Sequence, residues 1–436
     1  MVTAELLTEL KAVLSGVKMV QDGDQITLFP KTEKEIVQSI AFCQEHKKTI
    51  LIVGAGTKSS IGPKNETDIK LSLSEYSGIV EHTVGDMTVT VKAGTRYEEL
   101  QNYLAQHNQR VALDPSWPSK ATIGGVIAAN DSGPKRLGYG TARDSVIGLR
   151  TVYPNGKVIR SGGRVVKNVA GYDMNKVFIG SMGTLGVISE ITLKLRPLQK
   201  CESLMLLAFP NGNLDDVRRF ATQLLDSMME PVTLELFNPA IAEKLADINA
   251  YTLAISLEDV ESSVRYQEEF IKNLRPTNTE LTVYDAAQAA AFWKKVSAAA
   301  PISVDQNAVS SEKNVETVAT MKIGVVNLNV LDVVRESQLL SDSYSVKAEA
   351  NGGLGTGICQ VILRGATEDV SQAITHLREF AVNLGGYGIV KQLPEALHGK
   401  VDVWGEKPSY FQLLLGIKTK MDPNRIMNPN RYIGGI

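Results

Sequence analysis

The sequence predicts an α+β chain in three parts. These are a glycine-rich α+β domain over residues 1–198, a second α+β domain of ferredoxin-like, split-βαβ type over 199–401, and a structured closing segment over 402–436. Three observations carry this. At 436 residues the chain is long for one core. Short strands in its first half are punctuated by glycine loops, whereas beyond residue 201 strands alternate with single amphipathic helices and few such loops. The last residues, MDPNRIMNPNRYIGGI, hold the turn dipeptides Asp422-Pro423 and Asn428-Pro429, too rigid for a frayed end, so the segment is expected to dock on something.

Taken in order, residues 1–16 read as an amphipathic helix rather than a signal peptide, because Glu5 and Glu9 stand where a basic region would. Thr32 and Glu35 form a capping-box pattern ahead of a helix with Ile36, Ile40 and Cys43 on one face. Residues 49–53 are a β-rich run leading into 54–60, GAGTKSS. A dinucleotide fingerprint fails there, since its third glycine position is Ser59 and Gly62-Pro63 blocks a following helix. The backbone N–H groups and the hydroxyls of Thr57, Ser59 and Ser60 can still donate to an anion, or the loop can be a plain turn. A strand is expected over 87–92, and a second capping box at Thr95 and Glu98 opens the next helix.

Residues 114–133, DPSWPSKATIGGVIAANDSG, bring Gly124, Gly125, Asn130, Ser132 and Gly133 into one stretch without bulky side chains. It suits a diphosphate lying along exposed backbone, or a glycine-rich turn in an ordinary sheet. Pro154-Asn155-Gly156 predicts a hairpin turn, and two further glycine signals follow at 167–173 (KNVAGYD) and 180–188 (GSMGTLGVI). In the second half, strands are expected at 203–209, 232–237, 251–257, 322–327, 345–350 and 358–363. Helices are expected over 214–228, 260–274, 370–384 and, in the closing segment, 411–420. No internal repeat is visible.

Composition excludes several function classes. A net charge of −2 with no basic block leaves nucleic acid without an electrostatic footprint. Cys43, Cys201 and Cys359 are single and far apart, which fits a reducing compartment and offers no metal-ligand spacing. No apolar run reaches the ~18 residues of a membrane span, so the expectation is a cytoplasmic protein with at most peripheral membrane association.

In this order, GAGTKSS, DPSWPSKATIGGVIAANDSG, RLGYGTARDSVIG, KNVAGYD and GSMGTLGVISEITLKLRP resemble the FAD-binding fold of the vanillyl-alcohol oxidase (PCMH) type. VDVWG at 401–405 and the closing MDPNRIMNPNRYIGGI look like the end of the E-type FAD-binding chains of glycolate oxidase. The resemblance implies two small α+β subdomains with FAD between them, a cap formed by the second domain, and a tail returning to the FAD domain. It places the pyrophosphate against Gly54, Ala55, Gly56, Thr57, Lys58, Ser59 and Ser60 and against Pro115, Thr122, Gly124, Gly125, Ala129, Asn130, Ser132 and Gly133. It also implies backbone contacts from Gly186, Val187 and Ile188, with Asn428 and Arg431 near the flavin. FAD would be held non-covalently, because residues 54–62 contain no His or Cys to tether it.

Oxidation of a 2-hydroxy acid needs a hydride acceptor, a base and a cation for the carboxylate. Related catalytic flavoproteins carry an HxGDGNxH metal-binding stretch and a later Glu-His pair. Here the corresponding place reads Ala350-Asn351-Gly352-Gly353-Leu354-Gly355, so no metal is expected. Of five histidines only His398, near the tail junction, is a candidate base; a plain loop histidine is the alternative. Arg136, Arg143 and Arg431 are candidate anion forks, with an internal Arg143–Asp144 pair the other reading. Tyr139 and Tyr172 either stack on the cofactor or, the favoured reading, fill the core. The resemblance thus implies the FAD subunit of a glycolate oxidase-type complex, working with a sister flavoprotein and an iron–sulfur subunit on a small 2-hydroxy acid. The alternatives are a self-sufficient D-2-hydroxy-acid dehydrogenase and a partner-binding scaffold that has lost catalysis.

Overall fold

The computed structural model describes residues 4–23, 25–62, 67–163, 172–302 and 316–436. Most of KNVAGYD, residues 167–171, lies outside them. The chain packs as two units: Met1–Ser132, Thr141–Leu198 and Glu406–Ile436 form the first, and Gly133–Gly140 with Gln199–Gly405 form the second. The sequence reading puts its boundaries at 198 and 401, and the units divide after Leu198 and after Gly405. The short segment Gly133–Gly140, expected in the first domain, belongs to the second unit.

Among the described residues the first unit holds two main sheets and a short two-stranded one that pairs Gln109–Arg110 with Arg196–Pro197. One main sheet has the order Lys18–Asp22, Gln25–Phe29, Ile69–Ser72, Ile50–Val53, in which Ile69–Ser72 runs parallel to both its neighbours. The helix Glu33–Glu45 has its capping box formed as expected: Thr32 Oγ1 accepts from the Glu35 N–H and Glu35 accepts from the Thr32 N–H. Ile36, Ile40 and Cys43 fall on one face of it and are fully buried. The other main sheet is antiparallel, in the order Ile79–Thr83, Thr88–Lys92, Val187–Lys194, Val146–Val152, Val158–Gly162; the last two are joined by the predicted Pro154-Asn155-Gly156 turn. Glu33 links the helix to this sheet by accepting a two-pronged bond from Arg150, at 2.6 and 2.7 Å, and a third from the Ser189 hydroxyl at 3.0 Å.

Two local expectations fail for clear reasons. The Thr95–Glu98 box does not form: Thr95 Oγ1 accepts from the Gly78 N–H and donates to the Lys92 carbonyl, and the helix Tyr97–Ala105 starts without a side-chain cap. The residues after Thr122 are not an open loop. They form the helix Ile123–Ala129, capped by Thr122 and closed by Asn130 in the left-handed region.

The second unit is one eight-stranded antiparallel sheet in the order Glu280–Tyr284, Cys201–Phe209, Tyr251–Asp259, Thr233–Phe237, Lys347–Gly353, Ile358–Gly365, Thr317–Gly324, Tyr387–Gln392. It contains two copies of one motif. Cys201–Phe209, the helix Leu214–Leu225, Thr233–Phe237, Tyr251–Asp259, the helix Glu261–Leu274 and Glu280–Tyr284 make a βαββαβ run, with an added helix, Pro239–Ala246, between its second and third strands. Thr317–Gly324, the helix Val330–Tyr344, Lys347–Gly353, Ile358–Gly365, the helix Thr367–Asn383 and Tyr387–Gln392 repeat it, and both have the strand order 4-1-3-2. The predicted ferredoxin-like topology is therefore present twice. The copies join where Glu235, Leu236 and Phe237 pair with Gly353, Gly352 and Asn351. A Cβ on Gly352 would stand 2.6 Å from Val330 and 2.7 Å from Cys359, both in the second copy, so glycine there lets that copy's own helix and strand close on the strand end.

Gly133–Gly140 is tied into this unit by charge. Lys135 Nζ lies 2.6 Å from Glu258 and 2.8 Å from Glu202, and the Tyr139 hydroxyl donates to Glu258. Burial works against the Lys135 charge, but the two carboxylates outweigh it and raise its pKa. Tyr139 is buried as expected, whereas Tyr172 is exposed, so the core reading fails for Tyr172.

Strand starts in the first sheet are pinned by Asp68, whose carboxylate accepts from the Thr49 N–H and hydroxyl, both at 2.9 Å, with Lys48 at 3.5 Å. Burial pushes its pKa up, but these donors win and bring it down to about 2. A depressed carboxylate contributes stability above its unfolded pKa that is lost as pH falls through the folded value. Asp68→Asn should therefore cost about 1–2 kcal/mol at pH 7. In thermal melts from pH 5 to pH 2 the gap between variant and wild type should close; a gap constant across that range would refute the assignment.

Candidate cofactor site

A cleft in the first unit opens between its two main sheets, and each wall is set by local sequence. The strand Ile50–Val53 delivers residues 54–59, whose loop turns on itself through Ser59: its N–H and hydroxyl both reach the Gly56 carbonyl, at 3.1 and 2.8 Å. Opposite stand Thr122, Gly124, Gly125, Ala128 and Ala129 of the capped helix and its N-cap, with Met182, Gly183, Gly186 and Ile188 on a third side. Asn428 and Arg431 of the closing segment complete the lining.

The glycines play different parts. A Cβ on Gly54 would strike Thr122 Oγ1 at 2.0 Å, one on Gly124 would lie 2.6 Å from the Ala93 Cβ, and one on Gly183 would lie 2.6 Å from Asn428 Nδ2. These three let protein segments approach one another. At Gly125 the nearest neighbour of a Cβ is Thr122 Oγ1, at 3.2 Å, and no other atom comes within 4 Å. Beyond that hydroxyl, a side chain on Gly125 would enter open space.

Among the described residues two ionisable groups line the cleft. Lys58 is largely buried and sits 3.1 Å from Asp131, whose other duty is to accept the Ser116 N–H at 2.9 Å. The Arg431 guanidinium donates to the carbonyls of Ser59 at 2.5 Å and Lys58 at 3.0 Å, and its Nε is buried without a partner among the described residues. Burial lowers the Arg431 pKa to about 10, which leaves it charged at neutral pH. Asn428 joins both sides: its Oδ1 accepts from the Ile52 N–H at 2.6 Å and its Nδ2 donates to the Met182 carbonyl at 2.7 Å.

Of the residues expected from sequence, Gly54, Ala55, Gly56, Thr57, Lys58, Ser59, Thr122, Gly124, Gly125, Ala129, Gly186, Ile188, Asn428 and Arg431 line the cleft. Ser60, Pro115, Asn130, Ser132, Gly133 and Val187 do not. Asn130 terminates the helix, Pro115 is buried beside the loop held by Asp131, and Val187 is fully buried in the core. Gly133 belongs to the second unit. Sequence reasoning missed Ile52, Val53, Leu73, Ala93, Ala128, Met182 and Gly183. Met182 and Gly183 lie inside the flagged GSMGTLGVI, and the others are apolar neighbours without a chemical signal. His398 closes a short turn in the second unit and is no part of the lining. Arg136 falls in the second unit. Arg143 donates to the Lys176 carbonyl, while Asp144 caps a turn with Thr141.

A family model described as an FAD binding domain matches residues 25–162. Glycolate oxidase subunit GlcD of Bacillus subtilis is 26% identical over 427 residues, 94% of this chain and 89% of that protein. The mitochondrial D-lactate dehydrogenase (cytochrome) of Arabidopsis thaliana is 26% identical over 473 residues, 99% and 80%. Glycolate oxidase subunit GlcE of Escherichia coli is 35% identical over 152 residues, which is 35% of this chain and 43% of that protein. Substrate-bound p-cresol methylhydroxylase shares the fold, with a TM-score of 0.71 at 14% identity over 97% of this chain and 92% of that one. This chain is an FAD-linked oxidoreductase of the vanillyl-alcohol oxidase fold.

The oxidoreductase's cleft fits the cofactor on two observations: the open space at Gly125 and the unpartnered Nε of the buried Arg431. Gly125→Val should fill that space, keep the fold, and weaken FAD binding at least tenfold in a titration of the apoprotein. Gly124→Ala should act differently, lowering apoprotein stability by about 1–3 kcal/mol through overpacking against Ala93. Equal effects of the two variants on FAD affinity and melting would contradict the division of roles.

Proposed function

We propose that this chain is the FAD-bearing subunit of a glycolate oxidase-type assembly that oxidises a small 2-hydroxy acid such as glycolate, with the proton acceptor and electron exit supplied by partners. The observation that carries this reading is a cleft rich in donors and empty of bases. Among the described residues its lining contains Lys58 and Arg431 but no Asp, Glu, His or Cys. Bound there, FAD supplies the hydride acceptor. Lys58, Arg431 and the backbone N–H groups of the 54–59 loop would hold its diphosphate, and the hydroxyls of Thr57 and Thr122 add donors.

The imidazoles support the division of labour. The His46 ring lies against Phe42 and near Glu9, His82 bonds Gln109 at 2.9 Å, and His107 packs on His82 and Tyr103. His376 bonds Glu336 at 2.6 Å. Ala350–Gly353 is the strand end at the seam of the second unit, where Asn351 donates to the buried Glu235 at 2.6 Å. Among the described residues no group of three His, Cys, Asp or Glu could hold a metal ion. Cys43 and Cys359 are buried, and burial pushes both thiols up, Cys43 to about 12, which makes them poor ligands for a cluster. Electrons would therefore leave through an iron–sulfur partner. No helix among the described residues is long and apolar enough to cross a membrane.

A second reading is favoured by the lengths of the matches. GlcD and the D-lactate dehydrogenase align with nearly the whole chain, whereas GlcE aligns with about a third. On that reading the chain oxidises a D-2-hydroxy acid unaided, with His398 its candidate base. The two separate in one assay. The purified chain should carry about one FAD, released intact by acid, and reduce a dye with glycolate or D-lactate only when co-expressed with its partners. Strong turnover by the chain alone, abolished in His398→Ala, would favour the second reading. A colourless protein that still captures partners would sink both.

A further inference from the structure

Behind the cleft lies a charge pair outside its lining. Lys418, on the helix Phe411–Met421, is 1% exposed, and Asp422, just beyond that helix, is fully buried. The Lys418 ammonium spends its three protons on Asp422 Oδ2 at 2.6 Å, the Thr184 carbonyl at 2.7 Å and the Met427 carbonyl at 3.0 Å. The Asp422 carboxylate in turn accepts the N–H groups of Ile426 at 3.1 Å and Met427 at 2.9 Å.

The partners matter because of where they sit. Thr184 lies one residue beyond Gly183 and two before Gly186, both in the cleft lining. Met427 immediately precedes Asn428, and it is the backbone of Asn428 that adds to the strand Ile50–Val53, its N–H reaching the Ile50 carbonyl at 2.9 Å. One ammonium thus grips the turn carrying one wall of the cleft and the turn carrying Asn428 and Arg431. A buried ion pair is weak evidence for stability, because desolvation offsets the attraction, but it can specify one arrangement among several.

We propose that Lys418 and Asp422 are positioning residues for the flavin site: they set the separation between residues 182–186 and residues 426–431, so that Asn428 and Arg431 stand ready before FAD arrives. Neither residue lines the cleft, and the pair acts through Asn428. This rests on the reading that the cleft is where FAD binds.

The test is a double-mutant cycle on the FAD dissociation constant, measured by titrating apoprotein and following flavin fluorescence. Lys418→Met with Asp422→Asn removes both charges together and leaves no lone buried ion. This neutral variant should bind FAD at least tenfold more weakly at a temperature where its circular dichroism matches wild type. Added to Asn428→Ala, it should give little further loss, because both remove the same constraint. An affinity within twofold of wild type, or losses that multiply, would overturn the proposal. If the neutral variant does not fold, hydrogen exchange on wild type decides. Preorganisation requires the Ile426 and Met427 amides to be as protected in apoprotein as with FAD, and rapid exchange in the apoprotein overturns it. If Asn428→Ala and Gly125→Val both leave FAD affinity unchanged, the site reading has failed, a result distinct from failure of the positioning role.

Discussion

The cofactor cleft depends on one amide side chain. Asn428 accepts from a strand of the first sheet and donates to the turn that feeds the second, so it fixes a distance that neither sheet sets alone. It can do so because its own backbone is left-handed, with φ 40°, a conformation that asparagine tolerates better than most residues. Gly183 leaves it room. The Glu33–Arg150 bond ties the helix that follows the first sheet's second strand to the other sheet. Between these ties the loop 54–59 and the helix Ile123–Ala129 come close enough to share Thr122 as a neighbour.

Much of this was legible in the sequence, and its limits have physical causes. The glycine loops, the hairpin at 154–156, the Thr32 box and the rigid tail announce themselves through residues with narrow conformational preferences. The helix Ile123–Ala129 does not. Two glycines in its first turn argue against a helix locally, and it forms because Thr122 caps it and its Ile123, Val126 and Ile127 side chains are buried. The Thr95 box misleads for the converse reason: the hydroxyl finds better partners at Gly78 and Lys92. Asp131 is inconspicuous beside the glycines and serines of its stretch, though it organises both Lys58 and the 114–118 loop.

The duplication in the second unit is invisible in the sequence for a different reason. A ferredoxin-like motif demands only alternation in its strands and a stripe on its helices, so two copies need share no recognisable residues. What the seam does demand is local: the buried Asn238 of one copy accepts the Ala350 N–H of the other at 3.1 Å and donates to its Ala348 carbonyl at 2.9 Å. The resemblance puts the metal-binding stretch of related flavoproteins at this strand end, Ala350–Gly353. Its residues are committed to strand pairing and to Glu235.

The return of the closing segment also orders events in time. Residues 54–59 and 122–129 leave the ribosome early, but the residues that finish the cleft follow only after the whole second unit has been made. At elongation rates of about 5–20 residues per second, the interval from Leu198 to Asn428 is roughly 10–50 seconds. For that period the nascent first unit has two sheets without their Asn428 bridge. On the proposed reading of the cleft, cofactor capture belongs to the finished polypeptide, and a stalled chain would be left colourless without any damage to the glycine loops themselves.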